Sequence, residues 1–313
     1  MIKLDLVIVT YNRLEKLKKA LRCYEMQTEA FRNLIIVNNR STDGTDIYLS
    51  TLPKSFYNNG RKTCDIIVTN TDENLGGSGG FFIGENAAMK LGADWVFVAD
   101  DDAYAYPTMV EKFYDFIKKH DTTHIAAICS QIVDFDGKIC LSQRQTYHSK
   151  GWRFERFFSN KEDYLKDSFS IDLLTYVGSF MNAEALKKVG LVRPDFFIYY
   201  DDSEHSLRLK KYGNIIVVPS IVIEHECGRD VETSQCALSW REYYNIRNRT
   251  FTMLKHHPLV GIKAVLGQIL DDIHAIRISK TDNSFLKLSR KAIWNAFFQK
   301  MGKDDLYKPG WKP

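Results

Sequence analysis

The chain of 313 residues lacks several features that mark common classes of protein. None of its six cysteines forms a CxxC pair, so the sequence indicates neither a zinc site nor a thiol redox motif. No run of about 18 apolar residues is present, and the first residues, MIKLDLVIVTYNR, are too polar for a signal peptide. Together these absences predict a cytoplasmic protein without a membrane-spanning helix.

The sequence also lacks a strong charge of one sign. Its 43 lysines and arginines against 39 acidic residues give a net charge of +4, which is too small to predict nucleic-acid binding. The excess is concentrated at the end, because residues 255–313 contain 11 basic and 5 acidic residues. This pattern predicts either contact with an acidic surface or a solvated helical tail.

The most recognisable nucleotide-binding loops are absent. The glycine-rich stretch ENLGGSGGF, residues 73–81, matches neither G-x-x-x-x-G-K-[ST] nor G-x-G-x-x-G, and it follows the third predicted strand rather than the first. A Rossmann-type oxidoreductase is therefore disfavoured. Four glycines in five positions before a helix still let the backbone approach a ligand closely, although a flexible loop is the alternative.

Strands and helices alternate along the first 100 residues. The apolar runs LDLVIVT, NLIIVNN, CDIIVTN and DWVFVA each predict a strand, and segments with helical spacing, such as RLEKLKKALRCYEMQ, separate them. This order predicts an α/β fold with a mainly parallel central sheet that helices cover on both faces. Ligands of such sheets bind beyond the carboxyl ends of the strands, where the polar clusters of this chain occur.

The pattern becomes mixed after about residue 120. HIAAICSQIVDFDGKICL predicts two strands around a DFDGK turn, whereas IDLLTYVGSFMNAEALKKVG and FFIYYDDSEHSLRLKKYG each predict a strand that enters a helix. NIIVVPSIVIEHE predicts a further extended strand, and the chain beyond Trp240 is predicted to be helical. We expect a catalytic unit over residues 1–230 and a helical, basic C-terminal region over residues 231–313.

Three consecutive aspartates, Asp100, Asp101 and Asp102, follow the fourth predicted strand. Adjacent carboxylates repel one another, but a hard cation such as Mn²⁺ or Mg²⁺ prefers carboxylate oxygens and keeps positions free for phosphates. In a D-x-D pattern, Asp100 and Asp102 point to one side and can share an ion, while Asp101 faces elsewhere, toward a sugar. The alternative is a solvated turn that caps the next helix.

Two further positions carry candidate chemistry. A helix that begins near Asp201 would receive Asp201 and Asp202 from the apolar FFIYY segment, and a carboxylate held near a substrate can act as a general base. An acidic helix start stabilised by the helix dipole is the alternative. His225 ends an apolar extended run and is a candidate third metal ligand, with a structural histidine as the alternative.

Taken together, these stretches resemble the family 2 inverting glycosyltransferases of the GT-A fold. IVTYNR, VNNRSTDGT, the D-x-D strand end and YYDDSEHSLRLKKYG occur in that family's order, over about residues 4–250. NLGGSGGF, the two aspartate clusters and the later histidine look most like the bacterial galactofuranosyltransferases. WREYYNIRNR is similar to a stretch that those enzymes share with rhamnosyltransferases.

The resemblance implies an activity and a role for each motif. It implies inverting, metal-dependent transfer of galactofuranose from UDP-galactofuranose to a hydroxyl group of a cell-surface glycan precursor, with Mn²⁺ or Mg²⁺ as the cofactor. Asp202 is the implied catalytic base, and the implied metal ligands are Asp100, Asp102 and His225. The implied nucleotide-sugar contacts are Thr10, Tyr11, Arg13, Asn38, Asn74, Gly76, Gly77 and Asp101. The implied acceptor contacts are Ser179, Phe180 and Asp201.

Several alternatives stay open at the level of sequence. Many relatives carry Asp at the position of Asn38, so uridine and thymidine are both open, and a rhamnosyltransferase that uses dTDP-rhamnose on the same fold is the first alternative. A nucleotide-sugar-binding protein without catalysis is the second. The acceptor is a glycan or a lipid-linked glycan.

An amphipathic stretch near the C-terminus has three interpretations. It would lie on an anionic bilayer at the inner face of the cytoplasmic membrane, pack on the catalytic unit, or pack on a second subunit of a homo-oligomer. Its apolar residues are Phe285, Leu288, Ala292 and Phe298, and they are interleaved with Lys287, Arg290, Lys291 and Lys300.

Overall fold

A computed structural model describes residues 2–226, 238–277 and 283–313. The predicted boundary between the catalytic unit and the C-terminal region, at residues 230 and 231, lies outside these ranges and stays a prediction. The helices in chain order are α1 (Leu14–Glu25), α2 (Thr45–Ser50), α3 (Gly76–Lys90), α4 (Met109–Lys119), α5 (Ala183–Val189), α6 (Asp201–Leu209), α7 (Trp240–His256), α8 (Pro258–Arg277) and α9 (Ser284–Phe297).

The strands form one large mixed sheet and a separate hairpin. They are β1 (Leu4–Thr10), β2 (Asn33–Asn38), β3 (Ser55–Asn58), β4 (Arg61–Asn70), β5 (Trp95–Asp100), β6 (Ala103–Ala105), β7 (Ile125–Val133), β8 (Gln145–Lys150), β9 (Arg153–Phe158), β10 (Phe169–Ile171), β11 (Ser179–Asn182) and β12 (Asn214–His225). The large sheet has the order β10-β12-β7-β11-β5-β1-β2-β4-β3, with β6 paired to β12, and β8 and β9 form the hairpin.

The four strands predicted in the first 100 residues pair in parallel. β5, β1, β2 and β4 are neighbours in that order, and in their register Thr10 lies opposite Asn38 and Val9 opposite Asp100. The carboxyl ends of β1, β2 and β5 therefore meet at one edge of the sheet. The predicted α/β fold is confirmed, but the sheet as a whole is mixed, because β3, β6, β10 and β11 run antiparallel to their neighbours.

Helices cover both faces of the sheet, as the apolar strands require. All seven residues of β1 are buried, and they alternate between two clusters: Leu4, Leu6 and Ile8 pack with α1 and α4, whereas Val7 and Val9 pack with α3. Such two-sided burial explains why the strand sequences are continuously apolar rather than alternating.

Two of the predicted strands are absent. After the DFDGK turn, which the Asp134 carbonyl and carboxylate close, Ile139 makes only an isolated bridge to Val133. The FFIYY segment is not a strand either, since Phe197, Tyr199 and Tyr200 all have positive φ angles. The helix predicted after it is confirmed as α6.

The glycine-rich stretch is helical rather than a loop, because α3 begins at Gly76. A Cβ atom on Gly80 would lie 2.4 Å from Val9 Cγ1, and one on Gly84 would lie 2.1 Å from Val7 Cγ1. These glycines let α3 lie directly on β1. The sequence predicted that the backbone of this stretch approaches a ligand. Of the four glycines, only Gly76 and Gly77 lie where it could do so, at the start of α3.

The C-terminal helices pack on the rest of the chain. One apolar cluster joins Phe197 to Tyr243 and Tyr244 of α7 and to Leu288 and Ala292 of α9. Of the predicted amphipathic stretch, Leu288 and Ala292 are thus buried within this chain, whereas Phe285 and Phe298 are exposed. None of the described helices is long and apolar enough to cross a membrane.

Candidate functional site

A cavity of about 1320 Å³ opens at the edge where β1, β2 and β5 end. Thr10 at the end of β1 lines it, as do Tyr11 and Arg13 just after that strand. Asn39 after β2 and Asp100 and Asp101 at the end of β5 line it as well. Later segments of the chain complete the lining and include Asp201, Asp202 and His225. The structure therefore brings most of the predicted site residues into one cavity.

Asp101 and Asp102 are buried, Asp100 is half-buried, and cations of α1 and the preceding loop contact the triplet. Asp101 accepts a 2.7 Å hydrogen bond from the Thr10 hydroxyl, and Arg13 Nη1 lies 3.3 Å from its other oxygen. Arg13 also contacts Asp102 at 2.9 Å, and Lys16 Nζ contacts the same Asp102 oxygen at 3.2 Å. The mutual repulsion of the carboxylates is thus compensated in part by the protein itself.

The three predicted metal ligands lie together. One ligand atom each from Asp100, Asp102 and His225 can be chosen so that all three lie within 4.8 Å of one another. His225 Nε2 lies 3.2 Å from Asp102 Oδ1, while its Nδ1 atom is buried without a hydrogen-bond partner in the described residues. The two carboxylates suit a hard cation such as Mn²⁺ or Mg²⁺, and the imidazole adds a nitrogen ligand, so the residues present fit a divalent ion.

The triplet carboxyls titrate differently because their surroundings differ. Burial and the charges of Asp102 and Asp101 raise the pKa of Asp100 to about 7. Burial also raises the pKa of Asp101 to about 6, against the Thr10 hydrogen bond. Burial alone would raise the pKa of Asp102, but the hydrogen bond and charge of His225, together with Arg13, hold it well below its usual value. Asp102 is therefore the carboxylate that stays ionised most readily.

The predicted base sits at the start of α6. Asp202 Oδ1 accepts hydrogen bonds from the backbone N–H and the hydroxyl of Ser203, which hold the carboxylate at the helix start. Burial raises the pKa of Asp202, and burial together with the charge of Asp202 raises that of Asp201 to about 7. Two neighbouring carboxyls with raised pKa values in a cavity can accept a proton near neutral pH.

The backbone segment that directly precedes Asp201 and Asp202 is strained. Phe197 has φ 67° and ψ −62°, and the Ile198 N–H donates to the Phe196 carbonyl at 2.8 Å, which together form a γ-turn of the rare positive-φ type. Tyr199 and Tyr200 also have positive φ values, of 65° and 64°. Such conformations cost about 1–3 kcal/mol each in a non-glycine residue, so the surrounding structure must impose them.

The glycine helix contacts the same segment. A Cβ atom on Gly76 would lie 2.0 Å from the Phe197 carbonyl oxygen, and the Ser78 N–H donates to that oxygen at 3.2 Å. Gly76, Gly77 and Asn74 line the cavity, as predicted. Gly76 thus serves close packing between the two walls of the site.

Three predicted contacts need correction. Ser179 and Phe180 belong to β11 in the middle of the sheet and are fully buried, with Phe180 stacked on Phe113 at 4.2 Å, so they do not line the cavity. Asn38 is buried and paired: its amide donates to Asn70 and its oxygen accepts from the Ser41 N–H. The next residue, Asn39, lines the cavity instead.

Sequence reasoning missed several cavity residues. Arg156 comes from the β8–β9 hairpin, lies 4.7 Å from the centre of the Tyr200 ring, and opposes the rise in the pKa of Asp202. No motif marks it. Tyr199, Tyr200 and Trp240 lie within the quoted FFIYY and WREYYNIRNR stretches, so a motif signal existed for them without indicating a role.

Comparison with known proteins agrees with this architecture. A model of the family described as "Glycosyl transferase family 2" matches residues 5–190. Galactofuranosyltransferase GlfT1 of Mycobacterium tuberculosis (strain H37Rv) is 34% identical over 277 residues, which cover 84% of each chain. The dTDP-rhamnosyl transferase RfbF of Shigella flexneri is 28% identical over 125 residues, 37% of this chain and 41% of that protein.

The fold is also that of a solved glycosyltransferase. The structure of S. aureus TarS residues 1–349 in complex with UDP-GlcNAc superposes with a TM-score of 0.55 at 15% identity, covering 94% of this chain and 81% of that one. At this identity the similarity shows the fold alone, and that fold is of the GT-A type.

Proposed function

Because the chain belongs to glycosyl transferase family 2 and is a glycosyltransferase that uses a nucleotide sugar, we propose that it transfers galactofuranose from UDP-galactofuranose. The acceptor would be a hydroxyl group of a cell-surface glycan precursor. The similarity to GlfT1 along 84% of each chain supports this donor. The observation that carries the proposal is that Asp100 and His225, which lie beside Asp102 in a potential metal site, line the same cavity as the separate carboxylate pair Asp201 and Asp202.

The donor would bind at the ends of β1 and β2. Thr10, Tyr11, Arg13 and Asn39 line this part of the cavity and offer hydrogen-bonding and stacking groups to a nucleoside. Arg13, already paired with Asp101 and Asp102, lies where a diphosphate would meet the acidic triplet. Asn74, Gly76 and Gly77 would face the sugar and the diphosphate from α3.

Asp100, Asp102 and His225 would hold a divalent ion. When bound, such an ion would neutralise the diphosphate and stabilise it as a leaving group. Asp102 remains ionised because of His225 and Arg13, and it is therefore ready to serve as a ligand. His225 offers Nε2 beside Asp102 or its unpartnered Nδ1.

Asp202 would act as the general base. It accepts the proton of the acceptor hydroxyl while that oxygen forms a bond to the anomeric carbon, and the bond from this carbon to the diphosphate oxygen breaks. Attack from the face opposite the leaving group inverts the anomeric configuration in one displacement. Proton removal by a positioned carboxylate contributes about 10²–10⁴-fold to the rate.

A donor screen tests this function. Purified protein is incubated with UDP-galactofuranose, UDP-galactopyranose or dTDP-rhamnose, with Mn²⁺, Mg²⁺ or a chelator, and nucleoside diphosphate release is measured. We expect release from UDP-galactofuranose that depends on the ion. Turnover of dTDP-rhamnose instead would favour the alternative that the similarity to RfbF supports. Donor binding without turnover in the presence of glycan acceptors would favour the non-catalytic alternative.

We also propose that this enzyme contacts the membrane through α8 rather than through the amphipathic stretch predicted from the sequence. Six large apolar residues of α8 are exposed: Leu259, Ile262, Leu266, Leu270, Ile273 and Ile276. Their spacing puts them on one side of the helix. Lone exposed apolar residues are common, but a continuous stripe along one helix favours an interaction surface.

The charges of α8 suit an anionic lipid surface. Lys263 and Arg277 are exposed and lie one turn from Leu259 and Ile273 respectively, beside or on the apolar stripe. Asp271 lies roughly 140° around the helix from Leu266, and Asp272 is paired with Arg290 at 2.9 Å. An apolar face bordered by basic groups is typical of helices that lie in the headgroup region of anionic bilayers, where lipid-linked acceptors are found.

A further inference from the structure

We propose that Asn248 of α7 is a positioning residue that fixes the strained segment Phe196–Tyr200 and thereby sets the catalytic carboxylates of α6. This inference rests on the proposed function, because it takes Asp202 as the base. It gives the C-terminal helical region a part in positioning the site, whereas the sequence predicted only that this region is helical and basic. The role of Asn248 is indirect, since its side chain reaches the backbone of the segment and not the cavity.

The Asn248 side chain holds three carbonyl groups of the segment. Its amide nitrogen lies 2.9, 2.8 and 2.9 Å from the carbonyl oxygens of Phe196, Ile198 and Tyr199, and because it carries two hydrogens, two of these carbonyls share one donor. These carbonyls flank the γ-turn at Phe197 and precede the positive-φ residue Tyr200. One amide group therefore contacts the part of the chain whose backbone dihedral angles are energetically unfavourable.

Arg247 fixes the orientation of that amide. Its Nε donates to the Asn248 side-chain oxygen at 2.9 Å, so the amide nitrogen faces the carbonyls. The Arg247 guanidinium also donates to the Phe196 carbonyl at 3.1 Å and to the Gly302 carbonyl. Asn248 is fully buried and Arg247 is 1% exposed. Loss of the Asn248 amide would remove this donor from the part-buried Ile198 and Tyr199 carbonyls, whereas the Phe196 carbonyl would keep the Ile198 N–H, so the segment would be held less firmly.

The segment contacts both α3, the helix beside the proposed donor site, and α6, the helix that carries the proposed base. On one side its Phe197 carbonyl packs against Gly76 and accepts from Ser78 at the start of α3, the helix beside the donor. On the other side, the Tyr200 carbonyl accepts from the Glu204 N–H, which makes Tyr200 the cap of α6. A shift of the segment would therefore move Asp201 and Asp202 relative to the donor, and misplacement by about 1 Å can cost roughly 100-fold in rate.

The test uses a near-isosteric pair and a neighbour. Asn248→Asp keeps an acceptor for Arg247 but removes the donors to the three carbonyls, and Asn248→Ala removes both. Arg249→Ala is the matched control, because Arg249 is an exposed residue on the same helix turn. Each variant is assayed for kcat and donor KM, for thermal unfolding, and for hydrogen–deuterium exchange of the peptide that covers residues 196–203.

We expect Asn248→Asp to lower kcat by about 10- to 100-fold while donor KM stays near that of the unaltered protein. Exchange in residues 196–203 should rise without a matching rise in β1 and β5, and Arg249→Ala should change neither kcat nor exchange. Unchanged kcat and exchange in both Asn248 variants would overturn the inference, as would a uniform rise in exchange with loss of donor binding. If the unaltered protein turns over no donor, the proposed function fails, and the exchange data alone still decide whether Asn248 holds the segment.

Discussion

At the scale of single residues, the two acidic clusters of the site differ in how their charges are compensated. The Asp100–Asp102 cluster meets Arg13, Lys16 and His225. The Asp201–Asp202 pair relies on Ser203 and on the more distant charges of Arg156 and Arg144. The first arrangement keeps Asp102 ionised, as a metal ligand must be, and the second suits a group that takes up a proton.

The sequence could indicate the acidic clusters but not all of their partners. A D-x-D pattern after an apolar run predicts where carboxylates lie, because strand ends define an edge of the sheet. Arg156 approaches from a hairpin far along the chain, and no local pattern encodes that contact. Ser179 and Phe180 are the opposite case. The family resemblance implied that they contact the acceptor, but they lie on β11 and their side chains are buried in the core.

We expect Asp202→Asn to abolish transfer while leaving donor affinity nearly intact, because the amide keeps the size of the side chain but accepts no proton. Donor binding is measured by calorimetry and turnover by nucleoside diphosphate release. Asp201→Asn, one residue away, serves as the comparison and should keep more activity. Full turnover by Asp202→Asn would refute the assignment of the base.

The rate should also depend on pH through the same pair. Burial raises the pKa of Asp202, and that of Asp201 is raised to about 7. A base must be unprotonated to act, so kcat/KM should fall as the pH drops through the pKa of Asp202, at a higher pH than for an ordinary aspartate, and should level off above it.

Two variants should shift the low-pH fall of kcat/KM, called the acid limb below, in opposite directions. Asp201→Asn removes a neighbouring negative charge and should shift the limb to lower pH, whereas Arg156→Gln removes a positive charge and should shift it upward. Profiles that coincide with that of the unaltered enzyme in both variants would show that another group limits the rate.

For the metal site, we expect Asp102→Ala to remove the effect of Mn²⁺ on UDP binding. UDP affinity is measured by calorimetry with Mn²⁺ and with a chelator, which requires no turnover. The unaltered protein should bind UDP more tightly with Mn²⁺, and the variant should bind equally in both conditions. Asp136→Ala changes an exposed aspartate of the DFDGK turn and should keep the Mn²⁺ effect. An undiminished effect in Asp102→Ala would argue against its role as a ligand.

At the scale of secondary-structure elements, close contact between α3 and β1 depends on glycine. Gly84→Ala should destabilise the protein by about 1–3 kcal/mol, because the new methyl group would meet Val7 at 2.1 Å in a packed core. Gly77→Ala is the matched control for stability, since a Cβ there meets nothing within 4 Å and alanine favours helix. Urea unfolding measures both. Equal stabilities of the two variants would contradict the packing role of Gly84.

Two of the segments that the sequence predicted wrongly, FFIYY and the glycine-rich stretch, make close contacts with residues far away in the sequence. FFIYY is rich in residues that favour strands, yet Asn248 and the start of α3 force it into a γ-turn. The glycine-rich stretch looked like a loop because four glycines weaken helix propensity, and the contact with β1 outweighs that cost. In contrast, β1, β2, β4 and β5 are predictable, because burial on both faces requires continuous apolar runs.

At the scale of the whole molecule, the C-terminal helices have an inner face that supports the site and an outer face on α8. The sequence suggested that a basic, amphipathic C-terminal region exists, but not which residues its own fold would bury. Leu288 and Ala292 pack inside. Within α8, six large apolar residues on one side of the helix stay exposed.

We therefore expect the protein to float with vesicles that contain phosphatidylglycerol, and to float less with purely zwitterionic vesicles or at high salt. A Leu266→Glu/Leu270→Glu double variant should abolish flotation, because it places two charges in the apolar stripe. Leu165→Glu is the matched control: Leu165 is 88% exposed in a short helical turn outside α8, and its replacement should leave flotation unchanged. Thermal unfolding of each variant excludes loss of the fold as the cause. If the unaltered protein does not float, but elutes as a dimer that the double variant converts to a monomer, a second copy rather than a membrane covers α8.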